Sequence, residues 1–245
     1  MALISSAHNF KPNKFNLTEF RINLILKYII HCFGMMQQEG KKYDYREKGK
    51  IKKEDFLRDG LVDDYLNKTP NKNYFKYFIS DNPYVEIYFQ REEKQNYLEK
   101  NTLAEDKIDI TVKETKLSEI LNESINDEIK FAIECKRINK SQSYSEYVKD
   151  IYKLTSRQYK TYRLPYEGQI AFVEDSSLNC AIVSKKINER LKSDSNIVTV
   201  QFLENKTIDP LFDGGYHSVH KRNYGDQNNF SIYHLIFDYS KIVIN

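Results

Sequence analysis

The feature that most constrains this chain is a change of hydrophobic period near residue 83. From there, three runs alternate apolar and polar side chains with a period of two, which is typical of half-buried strands. The runs are PYVEIYFQ (83–90), KIDITV (107–112) and FAIECKRI (131–138). Three such runs in succession predict a meander of three strands, each with an acidic side chain on its second face.

Helical patterns flank these strands. Residues 16–36 repeat apolar side chains with the helical period, and Asn16 followed by Glu19 resembles a capping box. The other predicted elements are a helix over 52–67, a helix over 144–162, a strand GQIAFV, a helix over 178–191 capped by Ser177, a strand over 196–203, a loop over 207–229 and a strand over 230–239. This order predicts an α/β fold, with N-terminal helices in 1–82 packed on a core in 83–245 as one compact domain.

Composition and charge argue against a membrane protein and leave a nucleic-acid partner open. The net charge of +3 neither requires nor excludes a nucleic-acid partner. The three cysteines lie far apart in apolar runs, which favours free thiols in a reducing compartment. The most apolar stretch, residues 20–36, contains Arg21, Lys27 and His31 and is too short to span a bilayer comfortably. We therefore expect a cytoplasmic protein without a membrane partner.

The run FAIECKRI places a carboxylate and an ammonium on one face of a predicted strand, since Glu134 and Lys136 are two positions apart. Burying both charges is costly unless something compensates them. The pattern Glu-any-Lys occurs seven times, but only at Glu134 does it lie within an apolar, strand-like run. Asp109 lies 25 positions earlier, between two isoleucines of another predicted strand. A structural ion pair is one interpretation, and a divalent metal with a phosphate oxygen is the other.

Asp109, Glu134 and Lys136 resemble the motif of the PD-(D/E)XK nucleases, the restriction-endonuclease-like superfamily. The predicted order of helix, three strands, helix and strand also resembles the core of that superfamily. Lys107 and Ile108 precede Asp109, so the proline of the family name is absent. The resemblance implies an α/β restriction-endonuclease-like core, with a mixed central sheet flanked by helices and an N-terminal helical segment.

The resemblance also implies a chemistry, the hydrolysis of phosphodiester bonds with Mg²⁺ or Mn²⁺ as cofactor. Asp109, Glu134 and the backbone carbonyl of Cys135 would bind the metal, because Mg²⁺ favours oxygen ligands. Lys136 would orient the attacking water and stabilise developing negative charge.

Three further residues are candidates for the same site. Glu86 could ligate a metal from the preceding strand, or it could simply face solvent. Glu19 could supply an acid from the first helix, although a capping-box role competes with this interpretation. Gln169, on the strand GQIAFV, could contact the site or the substrate.

A second resemblance is to predicted nucleases of bacterial restriction and phage-defence loci. Those proteins carry a Ser-any-His-any-Arg element before the last strand, and Ser218, His220 and Arg222 match it. The match implies that His220 and Arg222 bind substrate. Zinc binding by His217 and His220 is the weaker interpretation, because the sequence offers no third ligand nearby.

These resemblances predict an Mg²⁺-dependent endonuclease acting on DNA in restriction or antiphage defence. An RNA-cleaving effector or toxin with the same site is an alternative, and a catalytically silent nucleic-acid-binding subunit is another. Cutting both strands of a duplex favours a homodimer, and a regulatory or sensor subunit is the other partner that we expect.

Overall fold

The structure of the protein is a computed structural model, which describes residues 7–68, 70–72, 87–99, 102–114, 131–159, 165–224 and 228–245. Helix α1 (Ala7–Gln38) begins well before residue 16, so the predicted capping box at Asn16 is wrong. Its apolar stripe is buried, and the ring of Phe33 stacks on that of Phe237 with 4.2 Å between centroids. Phe20, predicted to face inward, is exposed.

A short strand, β1 (Tyr43–Asp44), precedes helix α2 (Lys53–Leu61), which continues into a π-helical turn (Val62–Leu66). The predicted helix over 52–67 is therefore confirmed, with a wider last turn. Its buried side chains include Leu57 and Leu61. In the ranges that the structure describes, no helix is both long enough and apolar enough to cross a membrane.

The predicted three-strand meander is confirmed. Strands β2 (Ile87–Glu99), β3 (Thr102–Glu114) and β4 (Phe131–Ile138) are neighbours in the sheet, and each pairs antiparallel with the next.

Helix α3 (Gln142–Ser156) then crosses to β6 (Tyr166–Val173), which lies parallel to β4. The prediction extended this helix to residue 162, but the chain is already extended at Arg157, and β5 (Gln158–Tyr159) pairs with β2.

Helix α4 (Cys180–Ser193) is capped by the side chain of Asn179 rather than by Ser177, and it is followed by β7 (Thr199–Asn205). The predicted loop over 207–229 is wrong, since it contains β8 (Gly215–Lys221). The glycines there serve close packing of the backbone. A Cβ at Gly214 would lie 2.2 Å from the Ile236 carbonyl oxygen, and one at Gly215 would lie 2.6 Å from that of Lys206.

Strand β9 (Asn229–Asp238) lies between β6 and β8, and β10 (Val243–Ile244) pairs with β1 in a separate two-stranded sheet. The large sheet has eight strands in the order β5-β2-β3-β4-β6-β9-β8-β7, and it is mostly antiparallel. Helices α1 and α2 pack on one face, and α3 and α4 pack on the other. The prediction of an α/β sheet flanked by helices is confirmed at this level.

Candidate active site at the split between two strands

Strands β3 and β4 separate halfway along β4. Their ladder pairs Val112 with Phe131 and Ile110 with Ile133, whereas β4 itself continues to Ile138. The next positions in this register are Asp109 and Glu134, which therefore lie opposite each other where the strands part.

Carboxylates replace the missing strand at this edge of β4. The backbone N–H of Cys135 donates to Asp109 Oδ2 at 2.8 Å, and the N–H of Arg137 donates to Glu54 Oε2 at 3.0 Å. Because the N–H and C=O of one strand residue point to the same edge, the Cys135 carbonyl also faces this split. The split therefore gathers two carboxylates and a backbone carbonyl.

A backbone irregularity accompanies the split. Glu92 has a positive φ of 48°, and the β2–β3 ladder joins Arg91 to Ile110 and Glu93 to Ile108 but skips the pair between them. Ile108 packs in a different cluster from Ile110. The interruption of the β2–β3 ladder therefore coincides with a boundary between two hydrophobic clusters at Asp109.

The side chain of Glu134 is mostly buried and has no hydrogen-bond or ion-pair partner among the described residues. Its side chain is 6% exposed, and in the described part of the chain its carboxylate makes no hydrogen bond or ion pair. Burial raises the pKa of Glu134 well above its ordinary value, and the neighbouring carboxylates of Asp109 and Asp150 raise it further. A buried acceptor of this kind is costly to the fold unless a cation or a donor reaches it.

Asp109 is tied to helix α2. Its Oδ1 accepts a hydrogen bond from Arg58 Nη1 at 2.9 Å. Arg58 is buried and also lies within 3.3 Å of Asp55, Asp59 and Glu92, so its guanidinium is surrounded by carboxylates. One cation of the protein thus already neutralises part of the charge beside Glu134.

Lys136 is held by two helices. Its Nζ lies 2.9 Å from Glu54 Oε1 on α2 and 3.1 Å from Asp150 Oδ2 on α3. Burial lowers the pKa of Lys136, but the carboxylates of Asp150 and Glu54 outweigh burial and hold the pKa above its ordinary value. The ammonium is therefore charged throughout the physiological pH range.

The other predicted site residues have contacts of their own. Gln169 is opposite Glu134 in the β4–β6 register, but it is fully buried and its Nε2 donates to the Tyr147 carbonyl at 2.9 Å. Glu19 accepts a hydrogen bond from Tyr233 at 2.7 Å, on the opposite face of the sheet. Glu86 lies outside the described residues.

His220 belongs to a buried polar series that we call the histidine chain. It runs from Tyr147 through His234, Ser218 and His220 to Thr199, with neighbouring polar atoms 2.7–3.2 Å apart. His220 and His234 are fully buried, and burial lowers the pKa of His220 to about 4 and that of His234 well below its ordinary value.

Arg222 lies at the end of β8, where it donates to the Leu154 carbonyl at 3.1 Å and to Glu167 at 3.3 Å. Its described contacts therefore join α3 and β6. The substrate-binding roles of Gln169, His220 and Arg222 stay predictions.

The sequence-based prediction missed Glu54, Arg58, Asp150 and Lys153, whose Nζ lies 2.6 Å from Asp150 Oδ1. A signal for Asp150 exists, because this acid lies within the apolar stripe of α3, one turn from Tyr147 and Leu154. Glu54 and Arg58 are spaced by four residues on α2, which places them on one face.

The residues at the split suit a divalent metal that favours oxygen ligands. The carboxylate of Glu134 has no donor in the part of the chain that the structure describes, and each Asp109 oxygen keeps a lone pair beyond its hydrogen bond. Within the described residues, no three His, Cys, Asp or Glu side chains form a metal-binding group. Mg²⁺ is commonly held by one or two carboxylates with several waters, so Asp109, Glu134 and the Cys135 carbonyl fit it.

Comparison of the chain with known proteins finds no match among family models, curated proteins or solved structures.

Proposed function

We propose that this chain is a metal-dependent endonuclease of restriction-endonuclease-like fold that hydrolyses phosphodiester bonds in DNA. The observation that carries the proposal is the mostly buried carboxylate of Glu134, which has no hydrogen-bond or ion-pair partner in the described ranges and lies opposite Asp109, two residues before Lys136. A fold maintains such a carboxylate at a cost, and functional sites are where this kind of cost is common. The resemblance to the PD-(D/E)XK motif gives the reaction class.

Each side chain would have one task. Asp109, Glu134 and the Cys135 carbonyl would hold Mg²⁺ or Mn²⁺, which when bound polarises a phosphate oxygen and makes a bound water more acidic. Lys136 would act as a fixed cation, because its pKa is held above the ordinary value. It would orient the attacking water and stabilise charge on the phosphate rather than remove a proton. Bacterial restriction or antiphage defence, in the cytoplasm, is the setting that we propose from the second resemblance.

One observation favours a second candidate function, a silent nucleic-acid-binding subunit. The guanidinium of Arg58 already lies 2.9 Å from Asp109 Oδ1, so a cation of the protein occupies part of the proposed metal environment. If that contact persists in solution, Asp109 would not bind a metal, and Lys136 would only contact a phosphate.

Cleavage assays test the proposal directly. Plasmid DNA, single-stranded DNA and RNA would be incubated with the wild-type chain in Mg²⁺, Mn²⁺ or EDTA, beside Glu134→Gln and Lys136→Ala. Metal-dependent cutting of DNA that both folded variants lose would support the proposal, and preferential cutting of RNA would support the RNA-cleaving alternative. The matched control is Glu146→Gln, an exposed glutamate on α3, which should cut like wild type. Equal cutting by all variants would refute the site.

Metal binding separates the two candidate functions without requiring activity. A ligand that binds only the folded state at a hundred times its Kd stabilises by about 2.7 kcal/mol. We expect Mn²⁺ to raise the Tm of wild type and of Glu146→Gln, but not that of Asp109→Asn. No rise in wild type, together with retained DNA binding, would favour the silent subunit. Sedimentation velocity with and without DNA would test the proposed homodimer.

A further inference from the structure

We propose that Glu54 and Asp150 are the positioning residues of Lys136, holding its ammonium in place through two ion pairs while N–H groups remain for the substrate. This inference rests on the proposed function of the same site. It concerns two acids that lie far from the PD-(D/E)XK-like motif in sequence and come from helices on opposite faces of the sheet.

The geometry fixes the direction of the ammonium. Glu54 reaches Lys136 Nζ from α2 at 2.9 Å, and Asp150 reaches it from α3 at 3.1 Å. A lysine has four rotatable side-chain bonds, so a single ion pair would leave its position variable. Two carboxylates on separate rigid helices restrict it, as a positioned catalytic group requires.

Lys136 keeps donors for chemistry. An ammonium has three N–H groups and no acceptor. One of them donates to Glu54 Oε1, whereas Asp150 Oδ2 lies 3.1 Å from Nζ as an ion-pair partner without a hydrogen bond. The N–H groups that are not directed at Glu54 can serve an oxygen of the attacking water or of the phosphate.

Asp150 has few other reasons to be buried. It lies in the apolar stripe of α3 and is 3% exposed, where an unpaired carboxylate would be strongly disfavoured. Its other oxygen accepts from Lys153, one turn along the helix, at 2.6 Å. Asp150 therefore forms an ion pair with Lys136 through one oxygen and with Lys153 through the other.

Glu54 has a double role, because its second oxygen accepts the Arg137 backbone N–H. The substitution Glu54→Gln keeps an oxygen for that N–H but removes the charge that holds Lys136. The substitution Asp150→Asn likewise keeps the shape and removes the charge. Either variant tests the inference if the other fails to fold.

The matched control is Glu174→Gln. Glu174 forms a buried ion pair with Arg137, the residue next to Lys136 on the same strand, and its side chain is 5% exposed. This variant also loses a buried ion pair beside the site, so a merely structural effect would appear in it too.

The experiment combines NMR with kinetics. The Lys136 Cε–Hε signals, assigned by their loss in Lys136→Ala, would be recorded at one pH in wild type and variants, because the two Hε protons have separate shifts when the ammonium is fixed and one averaged shift when it moves. We expect separate Hε shifts in wild type and in Glu174→Gln. We expect the shifts to converge in Asp150→Asn and Glu54→Gln, with kcat lowered by roughly 10- to 100-fold at unchanged KM.

The outcomes separate this inference from the proposed function. Hε shifts of Lys136 that stay separate in both variants would overturn the positioning role, even if Lys136→Ala abolishes cleavage. Converged shifts without any loss of kcat would also overturn it. If the shifts converge while wild type binds no metal and cuts nothing, the contacts are real but the nuclease proposal fails.

Discussion

Two polar clusters share one face of the sheet, and they differ in how completely their groups are paired. The histidine chain is uncharged, fully interior at His234, Ser218 and His220, and hydrogen-bonded throughout. The cluster around Glu134 is charged, lies where two strands separate, and contains a carboxylate that has no donor among the described residues. A saturated network stabilises one structure, whereas an incomplete one can accept a further group. The comparison therefore favours a structural role for the first cluster, and the second is the one for which we propose a function.

The largest effect that we expect is the loss of cleavage when Glu134 is substituted. We expect Glu134→Gln to lower metal-dependent cleavage about a thousandfold, a loss typical of removing a group that stabilises transition-state charge. The same variant should unfold at a higher temperature than wild type near pH 7.5, because it removes a carboxylate whose pKa burial raises. Cleavage assays and thermal unfolding would be run on the same preparation. A less stable Glu134→Gln would mean that the carboxylate has a structural partner.

Ser218→Ala should lower stability and leave cleavage unchanged, the opposite of what we expect for Glu134→Gln. Ser218 Oγ lies 2.8 Å from His220 Nε2 and 2.7 Å from His234 Nε2, so its removal leaves two buried ring nitrogens without a partner. Each unsatisfied group costs about 1–3 kcal/mol. We expect the free energy of unfolding in urea to fall by that amount for each nitrogen, while cleavage per folded molecule stays unchanged. A selective loss of kcat would instead connect the histidine chain to the site.

The pH dependence of stability sharpens the comparison. The pKa of His220 falls from 6.5 to about 4 on folding, so the unfolded chain binds the proton more readily. Its stabilising contribution is therefore complete above about pH 6.5 and is lost as pH falls toward 4, by up to about 1.4 kcal/mol per pH unit. Urea unfolding of wild type and His220→Gln between pH 7.5 and 4.5 would measure it. Parallel curves for the two proteins would contradict this assignment.

The contribution of Glu134 to stability should depend on pH in the opposite sense to that of His220. Because folding raises its pKa, the folded state retains the proton, and the resulting stabilisation is present below the ordinary value of 4.5 and lost as pH rises through the folded pKa. The stability advantage of Glu134→Gln over wild type should thus shrink on acidification. An advantage that stays constant down to pH 4.5 would show that folding does not raise the pKa of Glu134.

The sequence predicted the elements that depend on local hydrophobic periodicity. The period-two runs located β2, β3 and β4, and the Glu-any-Lys pattern within an apolar run identified Glu134 and Lys136. Strand β8 was missed, because a pair of glycines indicates a turn, whereas Gly214 and Gly215 allow close backbone approach.

The partners of the site could not be predicted for a different reason. Glu54 and Arg58 reach the site where β3 and β4 separate, and that separation coincides with an interruption in the β2–β3 ladder at Glu92. No pattern in α2 carries this information. Likewise, His234 and Ser218 become neighbours through the register of β8 and β9, which depends on the whole sheet.

The small sheet of β1 and β10 can form only after the last residues of the chain have been synthesised, and it holds the segment that precedes α2. Within the described residues, the ladder partner of Tyr43 and Asp44 is Val243 and Ile244, about 200 positions later in the chain. These residues fix the segment that leads into α2, and α2 carries Glu54 and Arg58. A growing chain could form β2, β3 and β4 long before that segment is anchored. We expect the cluster around Glu134 to form last, so that a partly synthesised chain would lack the contact between Glu54 and Lys136.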